Sequence, residues 1–349
     1  MKILVVGCGV AGICLTHELL RAGCEVELID NGKNASSVVA AGIINPLVFR
    51  RMTLSWRVSE LIPFASKTYR EIEQLTGLSF FHPLVIRRLF ASRQELEFWK
   101  KKQELPEFSD YMETLTEEDL NFPAEQNTFG TGRVKQASYI DTDVFIRANR
   151  THFQAARILS EETFNYEELN PESGIYKGIP YDFILFAEGK DAKYNPLFEY
   201  LPLQQTKGEL LTIQSETMYA AESLNRKCFL LPLGNHQFKV GSTYAWDTDN
   251  TIPTEEGKLA ILENLKSVSN EPYQIIEHRA GVRPTVLDRR PLLGKHPKYP
   301  KMVIANGLGT KGYMIAPLLA HELVDHLLKG TEMDPESHIS RFEHSHFGG

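Results

Sequence analysis

The chain has 349 residues, 42% hydrophobic and 24% charged, which suits a globular protein of two domains that each bury a core. Its formal net charge of −7 argues against a phosphate-tracking surface, and therefore against nucleic acid as a partner. The four cysteines have no C-x-x-C spacing, which predicts buried thiols in a reducing compartment and no metal site.

The N-terminal stretch ILVVGCGVAGICL is apolar, but glycines interrupt it at a fixed spacing and Thr16-His17-Glu18 follows it. This pattern is typical of a strand, a turn and a helix and argues against a signal peptide. No other run approaches the roughly 18 apolar residues of a membrane span. We therefore expect a cytoplasmic protein with no membrane span.

The chain opens with a predicted strand over Lys2 to Val6, a helix over Ile13 to Ala22 that ends at Gly23, and a second strand over Glu25 to Asp30. A G-x-G-x-x-G sequence separates the first strand from the helix. In a dinucleotide-binding unit these glycines allow the tight turn, the close approach of the pyrophosphate and the packing of helix on strand. The residues of this loop that would contact a dinucleotide are Gly7, Gly9, Val10, Ala11 and Gly12.

The second strand ends at Asp30, followed by Asn31, close to the expected distance of about 20 residues beyond the last glycine. A carboxylate at this position accepts hydrogen bonds from ribose hydroxyls, and the helix N-terminus attracts the phosphates. The spacing fits FAD and NAD equally well.

The next predicted elements are a loop over Val38 to Pro46 and a long helix over Ser55 to Leu75 that ends at Gly77. Tyr139 to Leu159 is predicted to be helical. Tyr181 to Ala187 is a predicted buried strand that runs into the rest of the FAEG sequence.

A different kind of strand follows. Gly208 to Gln214 is a predicted strand, and Cys228 to Gly241 is a predicted antiparallel hairpin that turns at Gly234-Asn235. Pro253 to Val268 is predicted to be a helix. Because buried strands of the parallel type occur at the start, near residue 180 and at the end, the pattern predicts one nucleotide-binding domain interrupted by insertions.

A second G-x-G-x-x-G follows a short apolar strand near the C-terminus; its members are Gly307, Leu308, Gly309, Thr310, Lys311 and Gly312. A second dinucleotide unit would need another strand ending in an acid about 20 residues further on. The chain after Leu328 is instead polar and rich in turn residues, so we expect no second dinucleotide. Either this loop packs a helix closely on the sheet, or its N–H donors and helix dipole stabilise negative charge, such as that on a reduced flavin.

Five stretches occur in an order that resembles one family: GCGVAG with Asp30, AAGIINP, FAEG, AGVRPTVLDRRPLLG and NGLGTKGYMIAPLLA. Together they are similar to the FAD-dependent D-amino-acid oxidase, glycine oxidase and sarcosine oxidase superfamily. The resemblance implies an α/β fold (α+β overall), with a discontinuous Rossmann-like FAD domain and an inserted antiparallel-sheet substrate domain. It implies an FAD-binding domain of residues 1–78, 137–200 and 277–349 and a substrate domain of residues 79–136 and 201–276.

The resemblance also implies a single FAD held from both ends. The first glycine loop would hold the pyrophosphate, Asp30 and Asn31 the adenosine ribose, and the second loop the pyrimidine edge of the flavin. The backbone at Phe164 would meet the adenine. Other expected FAD contacts are Ala41, Gly42, Ile43 and Ile44 beside the isoalloxazine, Ala187 and Gly189 at the FAEG strand end, and Arg283.

Arg283 resembles the arginine that binds a substrate carboxylate in glycine-oxidase-like members, and a guanidinium takes a carboxylate bidentately. The alternative is a structural arginine that pairs with Asp288 or a backbone carbonyl. Arg289 and Arg290 are secondary candidates for the carboxylate role.

Three further residues are candidates for the catalytic site. Arg51, with Arg50 beside it, would add positive charge near the flavin; its alternative is a surface charge. Tyr244 would line the pocket or serve only as a sheet tyrosine, and Lys311 would lie near the flavin or face solvent.

Two departures from the family pattern have consequences. Glu188 replaces a more usual small residue and places an acid beside a nucleotide-binding segment. No cysteine lies near the position of covalent flavin attachment, so the FAD is expected to be non-covalent.

The resulting hypothesis is an oxidoreductase that oxidises an amine or amino acid, with hydride transfer from the C–H next to nitrogen to flavin N5 and hydrolysis of the released imine. Its partners would be a small-molecule amine and oxygen or another electron acceptor. The alternatives are a tRNA wobble-uridine modifying oxidase, a flavoprotein subunit without turnover, and an NAD-linked dehydrogenase.

Overall fold

The computed structural model describes residues 1–33, 36–125, 127–246 and 250–345, except for the side chains of Arg50 and residues 343–345. The α-helices within these ranges are α1 (Val10–Arg21), α2 (Ser36–Val39), α3 (Val58–Thr76), α4 (Arg93–Gln103), α5 (Glu117–Leu120), α6 (Thr142–Ala155), α7 (Glu255–Leu265) and α8 (Gly312–Lys329). The 3₁₀ helices are Phe49–Arg51, Pro106–Phe108, Tyr166–Glu168, Gly189–Tyr194, Gly309–Lys311 and Ile339–Ser345.

The strands in the same ranges are β1 (Lys2–Val6), β2 (Glu25–Ile29), β3 (Ile43–Ile44), β4 (Leu47–Val48), β5 (Thr53–Leu54), β6 (Phe81–Leu89), β7 (Thr131–Ile140), β8 (Leu159–Ser160), β9 (Leu169–Asn170), β10 (Ile175–Tyr176), β11 (Ile179–Pro180), β12 (Phe183–Phe186), β13 (Leu203–Gln214), β14 (Ser223–Asn225), β15 (Phe229–Gly234), β16 (Gln237–Gly241), β17 (Ala245–Trp246), β18 (Gln274–Val286), β19 (Leu292–Lys295) and β20 (Met302–Asn306).

A six-stranded sheet in the order β19-β20-β12-β1-β2-β8 forms the centre of the nucleotide-binding region. The pairs β20/β12, β12/β1, β1/β2 and β2/β8 are parallel, and only the edge pair β19/β20 of this sheet is antiparallel. Successive side chains of β1 face opposite sides, so Ile3 and Val5 enter one core cluster whereas Leu4 and Val6 enter another. A strand buried on both faces explains the continuous apolar sequence of β1.

A nine-stranded sheet lies over this unit. Its order is β17-β13-β16-β15-β14-β6-β7-β3, with β18 paired to β13. All of its pairs are antiparallel except β14/β6. A third core cluster, which includes Ile261 and Leu265 of α7, covers the face that points away from the six-stranded sheet. The predicted fold class, a Rossmann-like FAD domain with an inserted antiparallel-sheet domain, is confirmed.

Helices α1 and α8 pack against each other on one face of the six-stranded sheet, and α3 packs against α8. The buried hydroxyl of Tyr69 on α3 donates to the carbonyl of Tyr313 on α8 at 2.7 Å. Helix α3 ends at Gly77, which adopts a left-handed φ of 70°, as its sequence predicts. The two ends of the chain therefore form a common layer beside the parallel strands.

The predicted helix over Tyr139 to Leu159 is shorter in the structure. Tyr139 belongs to β7, where it pairs with Ile43 and His82. The side chain of Asp141 then accepts a hydrogen bond from the backbone N–H of Val144 at 3.1 Å and caps α6. Pairing across strands therefore overrides local helical pattern at Tyr139.

Candidate active site

A cavity of about 310 Å³ lies between the carboxyl ends of the parallel strands and one face of the nine-stranded sheet. The parallel sheet contributes residues at the ends of β1, β12 and β20, and the nine-stranded sheet contributes residues of β13, β14, β15 and β18. Ligands of open α/β sheets bind at this edge, so the cavity is the candidate active site.

The first glycine loop forms one side of the cavity through Gly9, Val10 and Ala11. Gly7 has a φ of 105°, and a Cβ there would lie 2.4 Å from the carbonyl oxygen of Ala187. A Cβ at Gly12 would lie 1.8 Å from the carbonyl oxygen of Gly7. Gly7 and Gly12 do not line the cavity, but they bring the N-terminus of α1 to its edge, where the helix dipole attracts a pyrophosphate. The first N–H of the helix, that of Val10, donates to Ser37 Oγ at 3.0 Å.

Asp30 lies just after β2 in a network of hydrogen bonds. Its carboxylate accepts from the backbone N–H of Cys8 at 2.7 Å and of Gly32 at 2.8 Å. Arg150 of α6 donates to it from Nη1 at 2.5 Å and to Glu161 from Nη2 at 2.7 Å. The acid predicted to hold a ribose is thus fixed next to the glycine loop by an arginine that the sequence did not indicate.

Asn31 and Phe164 lie away from the cavity wall. The amide of Asn31 is near Thr163 Oγ1, at 3.4 Å, and accepts from Lys33 N at 3.0 Å. Phe164 is buried and stacks on Tyr176 with ring centroids 4.3 Å apart. Its ring is therefore part of the core, and only its backbone remains for the predicted adenine contact.

The AAGIINP loop lines the cavity with Ala41, Gly42 and Ile43, whereas Ile44 is buried behind them. Gly42 has a φ of 72°, and a Cβ there would lie 2.1 Å from the carbonyl oxygen of Ile140. The loop therefore runs close to the end of β7 because Gly42 has no side chain.

The strand end at FAEG lines the cavity with Ala187 and Gly189. Glu188 between them accepts hydrogen bonds from the hydroxyl of Tyr166 and from Asn195 Nδ2, the latter at 2.8 Å. Burial raises the pKa of the Glu188 carboxyl to about 7, although both hydrogen bonds act in the opposite direction. The acid that departs from the family pattern thus belongs to a partly buried network of hydrogen bonds beside the cavity.

The second glycine loop lines the same cavity as the first, through Leu308, Gly309, Thr310, Lys311 and Gly312. Gly307 does not line it. A Cβ at Gly312 would lie 3.5 Å from Cγ1 of Val10, the first residue of α1. The two loops therefore lie side by side around one space.

Lys311 extends from the second loop toward the end of AAGIINP and the chain that follows it. Its Nζ donates to the carbonyl of Asn45 at 2.8 Å, to that of Leu47 at 3.4 Å, and to the hydroxyl of Ser55. Burial lowers the pKa of Lys311 to about 8. The structure therefore contradicts the alternative that Lys311 faces solvent.

Arg283 of β18 projects into the cavity. Its guanidinium donates to Ser242 Oγ at 3.0 Å and to the carbonyl of Thr243 at 3.4 Å, and it lies 4.6 Å from the ring centre of Tyr244. No carboxylate among the residues described by the structure pairs with it, and Asp288 pairs with Arg341 instead, at 2.9 Å. Burial without an anion lowers the pKa of Arg283.

The remaining candidates differ in position. Tyr244 lines the cavity but is 53% exposed, which places it at the mouth. Arg51 is exposed and does not line the cavity, because Phe49–Arg51 forms a 3₁₀ turn on the surface; the side chain of Arg50 lies outside the described residues. Arg290 pairs with Glu336 at 2.6 Å, and the neighbouring Arg289 is exposed.

Several wall residues were not predicted from the sequence. Gly208 was inside a predicted strand, where a glycine is a sign of close approach by another group, so that signal was available. Wall residues on loops and on opposite strands have no neighbouring motif in the sequence that would indicate a cavity. The residues missed at this cavity include Ser36, Ser37, Asn45, Ile86, Gly208, Leu210, Asn225, Phe229, Ser242, Asn306 and Tyr313.

The fold and the two glycine loops define the chain as a dinucleotide-binding protein of the α/β class. Residues 2–326 match the family of FAD dependent oxidoreductases called DAO, so the chain belongs to that family. The predicted superfamily, the FAD cofactor and the oxidoreductase class are thereby confirmed.

Individual relatives are distant. Glycine oxidase of Bacillus licheniformis is 25% identical over 93% of this chain and 92% of that protein. The tRNA 5-methylaminomethyl-2-thiouridine biosynthesis bifunctional protein MnmC of Maricaulis maris is 26% identical over 94% of this chain, which spans only 52% of that protein. The fold is similar to the crystal structure of glycine oxidase from Geobacillus kaustophilus, with a TM-score of 0.80 and 19% identity over 96% of this chain and 98% of that one.

Two negative findings concern the described part of the chain. No group of three or more histidine, cysteine or acidic side chains there could hold a metal ion. None of its helices is both long and apolar enough to cross a membrane.

Proposed function

We propose that the protein oxidises an amino acid or another amine that bears a carboxylate, with Arg283 binding that carboxylate inside the cavity. The observation that carries this proposal is a guanidinium that faces the cavity and has no carboxylate partner among the described residues. A buried cation gains stability when an anion joins it, and charge-assisted hydrogen bonds from a guanidinium fork also fix the orientation of a carboxylate.

The residues around the cavity fit FAD. The first glycine loop would hold the pyrophosphate, Asp30 the ribose, and the second loop with AAGIINP the flavin. Gly7, Gly12 and Gly42 would contribute indirectly, because a Cβ at any of them would meet backbone atoms of the chain and displace the loops that form the cavity. When bound, FAD supplies the oxidising power by accepting a hydride from the C–H bond next to the amine nitrogen. None of the four cysteines, all of them within the described residues, lines the cavity, which supports a non-covalent cofactor.

The chain's own part in the reaction is orientation and exclusion of water. Arg283 would hold the carboxylate so that the adjacent carbon faces the flavin, which is a positioning effect. The apolar residues Ile86, Leu210 and Phe229 cover the opposite wall and would keep water from the amine until oxidation is complete. Oxygen or another acceptor would then regenerate the oxidised cofactor.

The test is anaerobic mixing of the yellow holoenzyme with a panel of amines that includes both stereoisomers of each amino acid. We expect the flavin absorbance to bleach with at least one carboxylate-bearing amine. Arg283→Ala should raise KM for that substrate and leave the FAD affinity unchanged. Arg289→Ala is the matched control, because Arg289 is exposed on the chain just after β18.

A second candidate function is oxidation of a modified wobble uridine in tRNA, which the likeness to MnmC favours. The net charge of −7 counts against it. Binding of unfractionated tRNA that weakens steeply with salt would support this function. Absence of bleaching with every amine and of tRNA binding would favour a flavoprotein subunit without turnover.

A further inference from the structure

Asn225 lies at the end of β14 and lines the cavity on the wall formed by the nine-stranded sheet. Building on the proposed function, we propose that the Asn225 side-chain amide donates a hydrogen bond to an acceptor on the substrate, separate from the carboxylate held by Arg283. The preferred substrate is then an amino acid with an extended substituent that carries a carbonyl or carboxylate oxygen.

The orientation of the Asn225 amide follows from its partner. Nη1 of Arg88 lies 2.8 Å from Oδ1 of Asn225. A guanidinium has only donors, so the atom that faces it must be the amide oxygen, and the NH₂ group points the other way. Asn225 is thereby fixed as a donor toward the cavity.

Arg88 itself is held in place by several contacts. It is buried, and its Nη2 donates to Glu95 Oε1 at 2.7 Å while Nη1 also donates to the carbonyl of Arg226 at 2.6 Å. Its guanidinium lies 5.1 Å from the ring centre of Phe49. A guanidinium clamped in this way prevents the Asn225 amide from turning over, so Arg88 is a positioning residue.

The NH₂ group of Asn225 has no acceptor among residues 1–33, 36–125, 127–246 and 250–345, and it is not enclosed by protein atoms. Its neighbours on the cavity wall, Ile86, Leu210 and Phe229, are apolar. A ligand that fills this space removes water from the donor, so a ligand without an acceptor leaves the donor unpaired. The wall therefore favours ligands that carry an acceptor at this point.

The sheet register gives the spacing between the two polar groups. Direct cross-strand pairings lead from Asn225 on β14 through β15 and β16 to Leu210 on β13, so both side chains face the same way. Gly208, two positions from Leu210, shares that face, and the guanidinium of Arg283 lies against it. Strands β14 and β13 are three strand spacings apart, and Arg283 extends back toward the end of β16, which shortens the distance. The separation between the Asn225 amide and the Arg283 guanidinium is therefore on the order of 10 Å. Glycine is too short to bind both groups.

Binding of unreactive acids to the oxidised holoenzyme tests the inference without turnover. The probes are 6-acetamidohexanoate, which carries an acceptor at the right distance, and octanoate, which has similar length and no acceptor; the flavin difference spectrum reports the Kd of each. We expect 6-acetamidohexanoate to bind about tenfold more tightly, equivalent to about 1.4 kcal/mol. Asn225→Asp retains an acceptor for Arg88 but loses the donor, and should abolish this preference without changing the FAD affinity.

Asn225→Leu is the second variant and should give the same result by removing the amide altogether. Arg88→Lys retains a donor to Oδ1 of Asn225 and should keep more of the preference for 6-acetamidohexanoate than Arg88→Met does. A purely structural role of Arg88 would not predict this difference between the two variants. Equal binding of the two acids by the wild type would overturn the inference. So would a preference that survives both Asn225 variants, or variants that change only the FAD affinity, since the amide would then contact the cofactor. None of these outcomes depends on amine oxidation, so failure of the proposed function is a separate result.

Discussion

The guanidinium of Arg283 lies directly against the Cα of Gly208 on the neighbouring strand, so that a Cβ at position 208 would be 2.0 Å from Nη2. The absence of a side chain at Gly208 is what allows Arg283 to cross β13 and reach Ser242. A glycine on one strand therefore determines where the positive charge of the next strand lies.

Gly208→Ala is expected to displace this guanidinium and leave the fold intact, because the atoms in the way are the end of a flexible side chain. KM for a carboxylate-bearing substrate should rise about tenfold, as for the loss of one charged hydrogen bond. Steady-state kinetics would measure this, with the melting temperature and FAD affinity as internal checks. Gln214→Ala, exposed at the end of the same strand, is the control, and an unchanged KM in Gly208→Ala would refute the role of Arg283.

Gly12→Ala is expected to abolish FAD binding. The new Cβ would lie 1.8 Å from the carbonyl oxygen of Gly7, and neither backbone segment can move without separating α1 from β1. The flavin content of the purified protein measures the effect. Gly23→Ala is the matched control, since a Cβ there meets nothing within 4 Å and only its φ of 78° is strained, at about 1 kcal/mol. Equal flavin content in the two variants would contradict this prediction.

Arg150→Met is expected to weaken FAD binding about tenfold, because the carboxylate of Asp30 loses the charged hydrogen bond that holds it at 2.5 Å. Equilibrium dialysis of the apoprotein with FAD measures the affinity. Arg147→Met, exposed on the same helix, should bind FAD like the wild type. If both variants bind FAD normally, Asp30 does not depend on Arg150.

Lys311 predicts a pH dependence of stability. Because burial lowers its pKa from 10.5 to about 8, the folded protein binds fewer protons at this group than the unfolded chain does between these values. The contribution of Lys311 to the free energy of unfolding therefore rises as the pH increases from 8 to 10.5. Its slope is at most about 1.4 kcal/mol per pH unit. Below pH 8 the group contributes no slope, since both states are protonated.

Denaturant unfolding of the wild type and Lys311→Met across this range is the measurement. The stability difference, wild type minus variant, should grow more positive above pH 8 and be flat below it. Lys67→Met, exposed on α3, is the control for the loss of a surface lysine. A flat difference for Lys311→Met would show that the pKa of Lys311 is not lowered.

Local sequence patterns predicted the elements whose partners are close in sequence. The first βα unit and the hairpin of β15 and β16 are of this kind, and the turn at Gly234 and Asn235 has the positive φ values, 86° and 49°, that its residues indicate. The predicted start of the helix at Tyr139 was wrong, because Tyr139 pairs with residues of distant strands and therefore belongs to β7.

The candidate site was predictable where a motif surrounds the ligand and not where side chains meet from distant parts of the chain. Both glycine loops carry their own spacing signal. The Arg150–Asp30 pair joins two elements that share no motif. The orientation of Asn225 depends on Arg88, which lies on β6, far from β14 in sequence but paired with it in the sheet. Contacts of this kind are set by topology, which one sequence does not display.

The contact between the N-terminal and C-terminal glycine loops has a consequence for synthesis. The part of the wall formed by residues 308–312 is in place only when these residues reach the start of α1. During translation the βαβ unit of β1, α1 and β2 therefore precedes, by most of the described chain, the residues that complete this cavity. We therefore predict that a fragment ending before residue 307 does not retain FAD and is colourless.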